Sequence, residues 1–202
     1  MGKKNSIKTI CLLDLSKEIL KANKNTTNYP FILHHLICGD IQCLPVKNNY
    51  FNVVLSSCMI HLVNDREKAF NEIYRVLTKD GIFCIITYDP LDISSQIFHK
   101  YFPRFNEIDQ KRHPQLECLI GELQNTGFNV HKIKKVNYEI IFKDRQEIFN
   151  YISTKPYSAF KNYLSSEFEN SFSIFKELVE KKLPPQNIKN KCTLTCLVAK
   201  KI

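Results

Sequence analysis

Apolar runs that stop on a polar residue constrain this chain more than any other feature. Residues 7–15 (IKTICLLDL), 31–38 (FILHHLIC) and Phe51–Ser57 are rich in strand formers. They meet, in order, Asp14, the Gly39-Asp40 pair and Ser56-Ser57 at their carboxyl ends. Between them the period changes. Ser16 is placed to cap a helix through Ile19 and Leu20. Asn64 and Glu67 stand in capping-box spacing before Ala69, Phe70, Ile73, Val76 and Leu77, which recur every three or four residues. Strands alternating with helices predict an α/β sheet, mostly parallel, and in such sheets ligands bind outside the carboxyl ends of the strands.

The same reading continues to the end of the chain. Asp80-Gly81 turns into a strand over residues 82–88. Pro114 precedes a helix with the face Leu116, Leu119, Ile120 and Leu123, and Gly127 suits its left-handed cap. Strands are expected over 128–143 and 193–199, as a hairpin-like edge. A helical insertion lies between them, its main helix capped by Ser166 and Glu169, burying Phe168, Phe172, Phe175, Val179 and Leu183, and stopped by Pro184-Pro185. At 202 residues this makes one domain, with a core of 7–142 and 192–202 and a cap of 143–185.

Composition narrows the classes of function. No apolar run reaches the roughly 18 residues that span a bilayer, and no charged-then-apolar leader opens the sequence, so a cytoplasmic protein without membrane association is expected. Eight cysteines contain no C-x-x-C pair and read as reduced core residues. Cys192 and Cys196, four residues apart on a strand, stand about 13 Å from each other, too far for one metal, and no metal site is expected. The net charge of +9 is spread along the chain in short clusters such as Lys132, Lys134 and Lys135, which leaves nucleic acid possible but not favoured. Met1-Gly2-Lys3-Lys4-Asn5-Ser6 fits the N-myristoylation pattern, relevant only in a eukaryotic host.

A carboxylate just past a strand can accept hydrogen bonds from vicinal ribose hydroxyls; alone it is more often strand-end punctuation. Here the order adds to the case. LLDLSKEILKAN resembles the second motif of the class I S-adenosylmethionine (SAM) dependent methyltransferases. The stretch from Gly39-Asp40 through Leu44-Pro45, Phe51-Asn52-Val53-Val54, His61 and Glu72-Ile73-x-Arg75-Val76-Leu77 to Gly81 resembles the motifs that follow it, in the quinone and small-molecule branch. The resemblance implies a Rossmann-like sheet, SAM as methyl donor and a small-molecule acceptor. Asp14 would hold the ribose hydroxyls beside Leu15. Asp40 would accept from the adenine amino group, Ile41 would line the adenine pocket, and Ser57 and Cys58 would lie near the methionine part. On the acceptor side the candidates are His61, as a base or a structural histidine, and Tyr88. Asp109, Arg112 and His113 follow, most simply as a surface salt-bridging cluster, while Tyr151, Tyr157, Phe160 and Tyr163 could line an apolar pocket or form core.

One part of the pattern is missing. The resemblance implies a first strand and a glycine-rich loop about 20 residues before Asp14, between family strands two and four in the sheet. Thirteen residues precede Asp14, and the five glycines (Gly2, Gly39, Gly81, Gly121, Gly127) never form G-x-G. The expectation is a truncated form with impaired SAM binding. Its sheet would close directly from 7–15 onto Phe51–Ser57, recruit another chain, or stay partly unfolded. A non-catalytic remnant or binding module and an RNA methyltransferase remain the alternatives; oligomeric state is open.

Overall fold

The computed structural model describes residues 7, 9–24 and 33–202. Its elements are β1 (Thr9–Asp14), α1 (Lys17–Lys24), β2 (Leu33–Cys38), β3 (Phe51–Ser57), α2 (Arg66–Val76), β4 (Leu77–Thr87), α3 (Pro90–Ile93), α4 (Ile97–Tyr101) and α5 (Phe105–Arg112). They continue with α6 (Leu116–Asn125), β5 (Phe128–Asp144), α7 (Arg145–Ser153), α8 (Ser165–Lys182) and β6 (Gln186–Lys201), and 3-10 turns lie at Ile60–Leu62 and Ser158–Asn162. The Gly2 acylation pattern lies outside the described residues.

Local chemistry explains where these elements begin. Ser16 caps α1, its Oγ accepting from the Ile19 amide at 3.3 Å, as expected. Helix α2 starts one residue later than its capping-box spacing suggests. The cap is Asp65, whose side chain accepts from the Lys68 amide, while the Gln42 side chain holds the Asp65 amide at 3.1 Å and keeps that residue extended. Helix α8 begins earlier than expected, at Ser165, with Leu164 before it offering no side-chain cap; Ser166 and Glu169 lie inside the helix. Gly127, at φ +99°, closes α6 as the sequence predicts.

The expected strand at 82–88 is longer, because β4 begins at Leu77. Leu77 pairs with Phe51 and Ile82 with Val53, so residues 78–81 bulge out of register. Asp80 takes φ 63° there, and a Cβ on Gly81 would lie 2.8 Å from the Thr78 carbonyl oxygen, which only glycine avoids. Strand β6 begins seven residues before the expected 193. It runs antiparallel to β5 from Asp144↔Gln186 to Phe128↔Lys201, a long hairpin whose tip carries α7 and α8.

Among the described residues the strands form two sheets. Parallel β1 and β2 make one; the other has the order β3-β4-β6-β5, with β3 and β4 parallel and the last two pairings antiparallel. The α/β class is as the sequence indicates, and β1 does not pair directly with β3. The smaller sheet is tied to the larger through its exit loop. Glu72 accepts from the Leu44 amide at 2.7 Å, and Arg75 donates to the Leu44 and Val46 carbonyls.

Two apolar clusters form the core. One lies between the larger sheet and α2 and α6, centred on Phe70, Ile73, Phe83, Leu119 and Leu197. The other packs the outer half of the β5–β6 hairpin against α4, α5, α7 and α8 through Phe98, Phe105, Phe142, Phe168 and Phe175. The larger sheet is covered unequally. Phe83, Ile85 and Thr87 of β4 face the helices and are buried, while Ile82, Cys84 and Ile86 on the opposite face are only half-buried. The eight cysteines are all free thiols. The core reading suits buried Cys192, but Cys38, Cys43, Cys58 and Cys118 are exposed, because they fall at strand ends, in turns or on an outer helix face. Among the described residues no helix is long and apolar enough to cross a membrane.

Candidate functional site

Pairing of β1 with β2 sets the first two carboxylates side by side. Asp14 lies opposite Cys38, two residues before Asp40, and the Gly39 amide donates to the Asp14 carbonyl at 3.1 Å. The Asp14 carboxylate accepts from the Ser16 amide through one oxygen at 2.8 Å. Leu15 beside it is 73% exposed. Asp40 accepts from the Gln42 backbone amide at 2.9 Å and from the Gln42 side-chain amide, and these bonds, the backbone one foremost, hold its carboxyl below the usual range. Ile41 packs half-buried against the α2–α6 cluster. Glu72 and Arg75, which fasten this loop, appear in the sequence only as part of a helical motif.

At the end of β3, Ser57 and Cys58 are both exposed. Cys58 has φ 49°, a left-handed conformation costly for a residue with a Cβ, and its amide donates to the Ile86 carbonyl at 2.8 Å. These two residues sit on the larger sheet and the Asp14–Asp40 pair on the smaller one. No described strand bridges them.

Beyond the ends of β3 and β4 stands a buried polar group, not the surface cluster expected of Asp109, Arg112 and His113. His61, on the 3-10 turn, stacks on His113 with ring centroids 4.2 Å apart. Asp109 accepts from Arg112 Nη1 at 3.3 Å and lies 3.0 Å from His99 Nε2; His113 Nδ1 lies 3.0 Å from the Asp109 carbonyl oxygen. Arg112 also donates to Ser158 Oγ at 2.6 Å, joining α5 to the hairpin tip. The helix α5 turns these groups inward because Phe105 and Asp109, four residues apart, share its buried face. Burial pushes the His61 pKa down to about 4, helped by the charges of His113 and Arg112, and burial lowers His113 as well. Burial pushes Asp109 up, but the His99 hydrogen bond and the neighbouring positive groups outweigh it and hold the carboxyl below its ordinary value.

The Tyr88 hydroxyl lies 2.9 Å from that of Tyr138. Burial raises both phenols, and burial raises Tyr157 too. Phe160 and Tyr163 are core, with the Tyr163 hydroxyl donating to the Pro103 carbonyl at 2.6 Å, whereas Tyr151 and Tyr157 are partly accessible. Sequence reasoning passed over His99 and Tyr138, and neither stands in a motif that would mark it.

Residues 2–85 match the family described as a methyltransferase domain. The mitochondrial arginine-hydroxylase NDUFAF5 of Danio rerio is 35% identical over 80 residues, 40% of this chain and 24% of that protein. The ubiquinone/menaquinone biosynthesis C-methyltransferase UbiE of Vibrio parahaemolyticus is 23% identical over 140 residues, 59% of this chain and 54% of the relative. The chain thus spans between about a quarter and a half of the length of these curated relatives. In structure it resembles the YcgJ protein of Bacillus subtilis, with a TM-score of 0.62 and 20% identity over 95% of this chain and 81% of the other. It also resembles the S-adenosylmethionine dependent methyltransferase of Mesorhizobium loti, at 0.52 and 15% over 96% and 81%. The [4+2]-cyclase SpnF matches at 0.59 and 15% over 98% and 68%, so the fold does not dictate the reaction. Residues 2–85 thus match a methyltransferase-domain family, and over nearly its whole length the chain has the fold of the S-adenosylmethionine dependent methyltransferases it resembles.

Proposed function

We propose that this chain is a SAM-dependent methyltransferase acting on a small molecule, in a form whose donor site is incomplete. The observation that carries the reading is the placement of Asp14 at the carboxyl end of β1 and of Asp40 just past the carboxyl end of the adjacent parallel β2. The residues present fit part of the cofactor. Asp14 uses one carboxylate oxygen on Ser16, and no described partner engages the other, which leaves an acceptor for ribose hydroxyls. Asp40, ionised through its bonds from Gln42, suits the adenine amino group, with Ile41 against the ring. Leu15 would border the adenosine. Ser57 and Cys58 would border the methionine part.

When bound, SAM supplies a methyl group on a sulfonium, and the protein's task is in-line positioning with removal of a proton where the acceptor carries one. Tyr88, its hydroxyl fixed by Tyr138, would orient an acceptor. His61 is neutral near pH 7, as a proton acceptor must be, though a pKa of about 4 makes it a weak one. The hairpin-tip helices, with Tyr151 and Tyr157 at their accessible side, would form the acceptor pocket.

Calorimetric titration of SAM tests the donor reading. Wild-type chain should bind more weakly than low-micromolar, and Asp14→Ala should weaken binding by at least about tenfold through loss of charge-assisted hydrogen bonds. Equal affinities would remove Asp14 from the site, and low-micromolar wild-type binding would show that the site is complete. The alternative of a non-catalytic binding module draws support from the divided sheet, and SAM binding with no transfer to any acceptor would favour it.

A further inference from the structure

The turn after β2 ties up Asp40 more firmly than a turn requires. The Cys43 amide donates to the Asp40 carbonyl at 3.0 Å and closes the turn, and the Gln42 amide donates to Asp40 Oδ1 at 2.9 Å. The Gln42 side chain then folds back on the same carboxylate, its Nε2 lying 3.1 Å from Oδ1 and 2.9 Å from Oδ2. Its Oε1 faces the other way and accepts from the Asp65 amide at 3.1 Å. Asp65 in turn caps α2, accepting from the Lys68 amide at 2.9 Å. One side chain thus joins the Asp40 carboxylate to the start of α2, 23 residues further along the chain.

That double role needs a primary amide. Gln42 must donate toward Asp40 and accept from Asp65, and an amide carries both functions on one carbon. Glutamate would keep the acceptor, lose the donor and set a second negative charge against the first. Asparagine has one methylene less with which to span the same gap.

The donors on Asp40 decide what the carboxylate has left to offer. Each carboxylate oxygen offers two lone pairs. Oδ1 receives both the backbone and the side-chain N–H of Gln42 and is filled. Oδ2 receives the side-chain amide and, among the described residues, nothing else, so one lone pair stays open. Its direction is held, because the terminal rotation of an aspartate is otherwise broad and here the bonds from Gln42 oppose it.

On the reading of Asp14 and Asp40 as ribose and base contacts, we propose that Gln42 is a positioning residue. It aims the open lone pair of Asp40 Oδ2 at the amino group of an adenine and makes the site reject a purine with a carbonyl there. Adenine presents an N–H to that oxygen. Hypoxanthine presents a carbonyl oxygen at the same place, and two acceptors then face each other with no proton between them. A carboxylate free to turn would escape by accepting instead from the hypoxanthine ring N–H, whereas one held by Gln42 and anchored on Asp65 cannot. The discrimination therefore comes from Gln42, and not from the Asp40 charge alone.

Adenosine and inosine test this on the 202-residue chain, since they carry the ribose and the base and nothing that must reach Ser57 or Cys58 on the other sheet. Titrations followed by the amide signals of residues 39–43 should show wild type preferring adenosine at least about tenfold. Gln42 is half-buried at an open cleft, so Gln42→Met leaves the core intact, keeps the length and removes both polar groups; the preference should fall below about threefold. Asp65→Ala removes the side-chain cap of α2 but leaves the backbone amide that Gln42 holds, so the preference should survive. A purely structural role would give the two variants the same result. An unchanged preference in Gln42→Met, or an equal loss in both variants, would overturn the proposal and leave Asp40 as the base contact. Wild type binding both nucleosides equally, or neither up to about 10 mM, would overturn the base-contact reading itself and the proposal with it.

Discussion

Replacing His61 by Phe should flatten the pH dependence of stability between neutral pH and about pH 5. Burial pushes the folded-state pKa of His61 from 6.5 to about 4. Below 6.5 the unfolded chain therefore binds a proton that the folded chain refuses, and stability falls as pH falls; above 6.5 both states are neutral and the term vanishes. A displacement of about two and a half units, at about 1.4 kcal/mol each, sets a ceiling of about 3.4 kcal/mol, reached only below pH 4. By about pH 5 some 2 kcal/mol of it would be lost, and because His61 keeps partial solvent contact about 1–2 kcal/mol is the expected loss. Phe keeps a ring against His113 and removes both the titration and the unpartnered Nδ1. His113, depressed in the same direction, continues to contribute in the variant, so the slope should shrink without disappearing. Urea unfolding at about pH 7.5 and about pH 5, followed by circular dichroism, measures the difference. If wild type and variant lose the same stability between the two pH values, His61 is not buried in its neutral form and the stacked arrangement is wrong.

Asp109→Asn should destabilise by about 3 kcal/mol at neutral pH, since it leaves the Arg112 charge and His99 without their buried partner; denaturant midpoints would show it, and a change below about 0.5 kcal/mol would mean that the network is solvated. With its folded pKa below 3.8, Asp109 itself contributes stability above that value and loses it only as pH falls further, so acid unfolding should begin at higher pH in Asp109→Asn than in wild type. Gly127→Ala should cost about 1–2 kcal/mol, because φ is +99° and the added methyl would lie 3.3 Å from the Tyr74 ring; thermal unfolding reads it, and a neutral result would place the helix end elsewhere. Arg75→Ala should speed amide exchange in the 40–49 loop at least about tenfold while leaving α6 unchanged, as Arg75 ties the Leu44 and Val46 carbonyls to α2; uniform acceleration would instead indicate global loss of stability.

The fold was legible where one physical signal dominated. Periodicity placed β3 to the residue and the buried face of α2 in full, because Ala69, Phe70, Ile73 and Val76 have one apolar surface to meet. Gly127 was readable because its conformation excludes other residues. The capping errors at α2 and α8 share one cause. Several polar residues stand near each start, and the choice among them is made by a distant partner, Gln42 at Asp65 in the first case. The early start of β6 was hidden for a similar reason. Residues 186–192 (QNIKNKC) are too polar to suggest a strand, yet six pairings with β5 give their backbone a ladder.

The candidate site divides along the same line. The strand-end positions of Asp14 and Asp40 were legible in the sequence because these residues end apolar runs, and a strand end is a local signal. His61, Asp109 and His113 were named from sequence, but their gathering with His99 into one buried group was not, because its members come from three separate segments and a charged helix such as FNEIDQKR reads as solvent-facing. Only the packing of Phe105 into the hairpin-tip cluster turns Asp109 inward. The divided sheet joins the two findings. The carboxylates that would hold the donor lie on one piece, and the residues that would meet the methyl and the acceptor lie on the other.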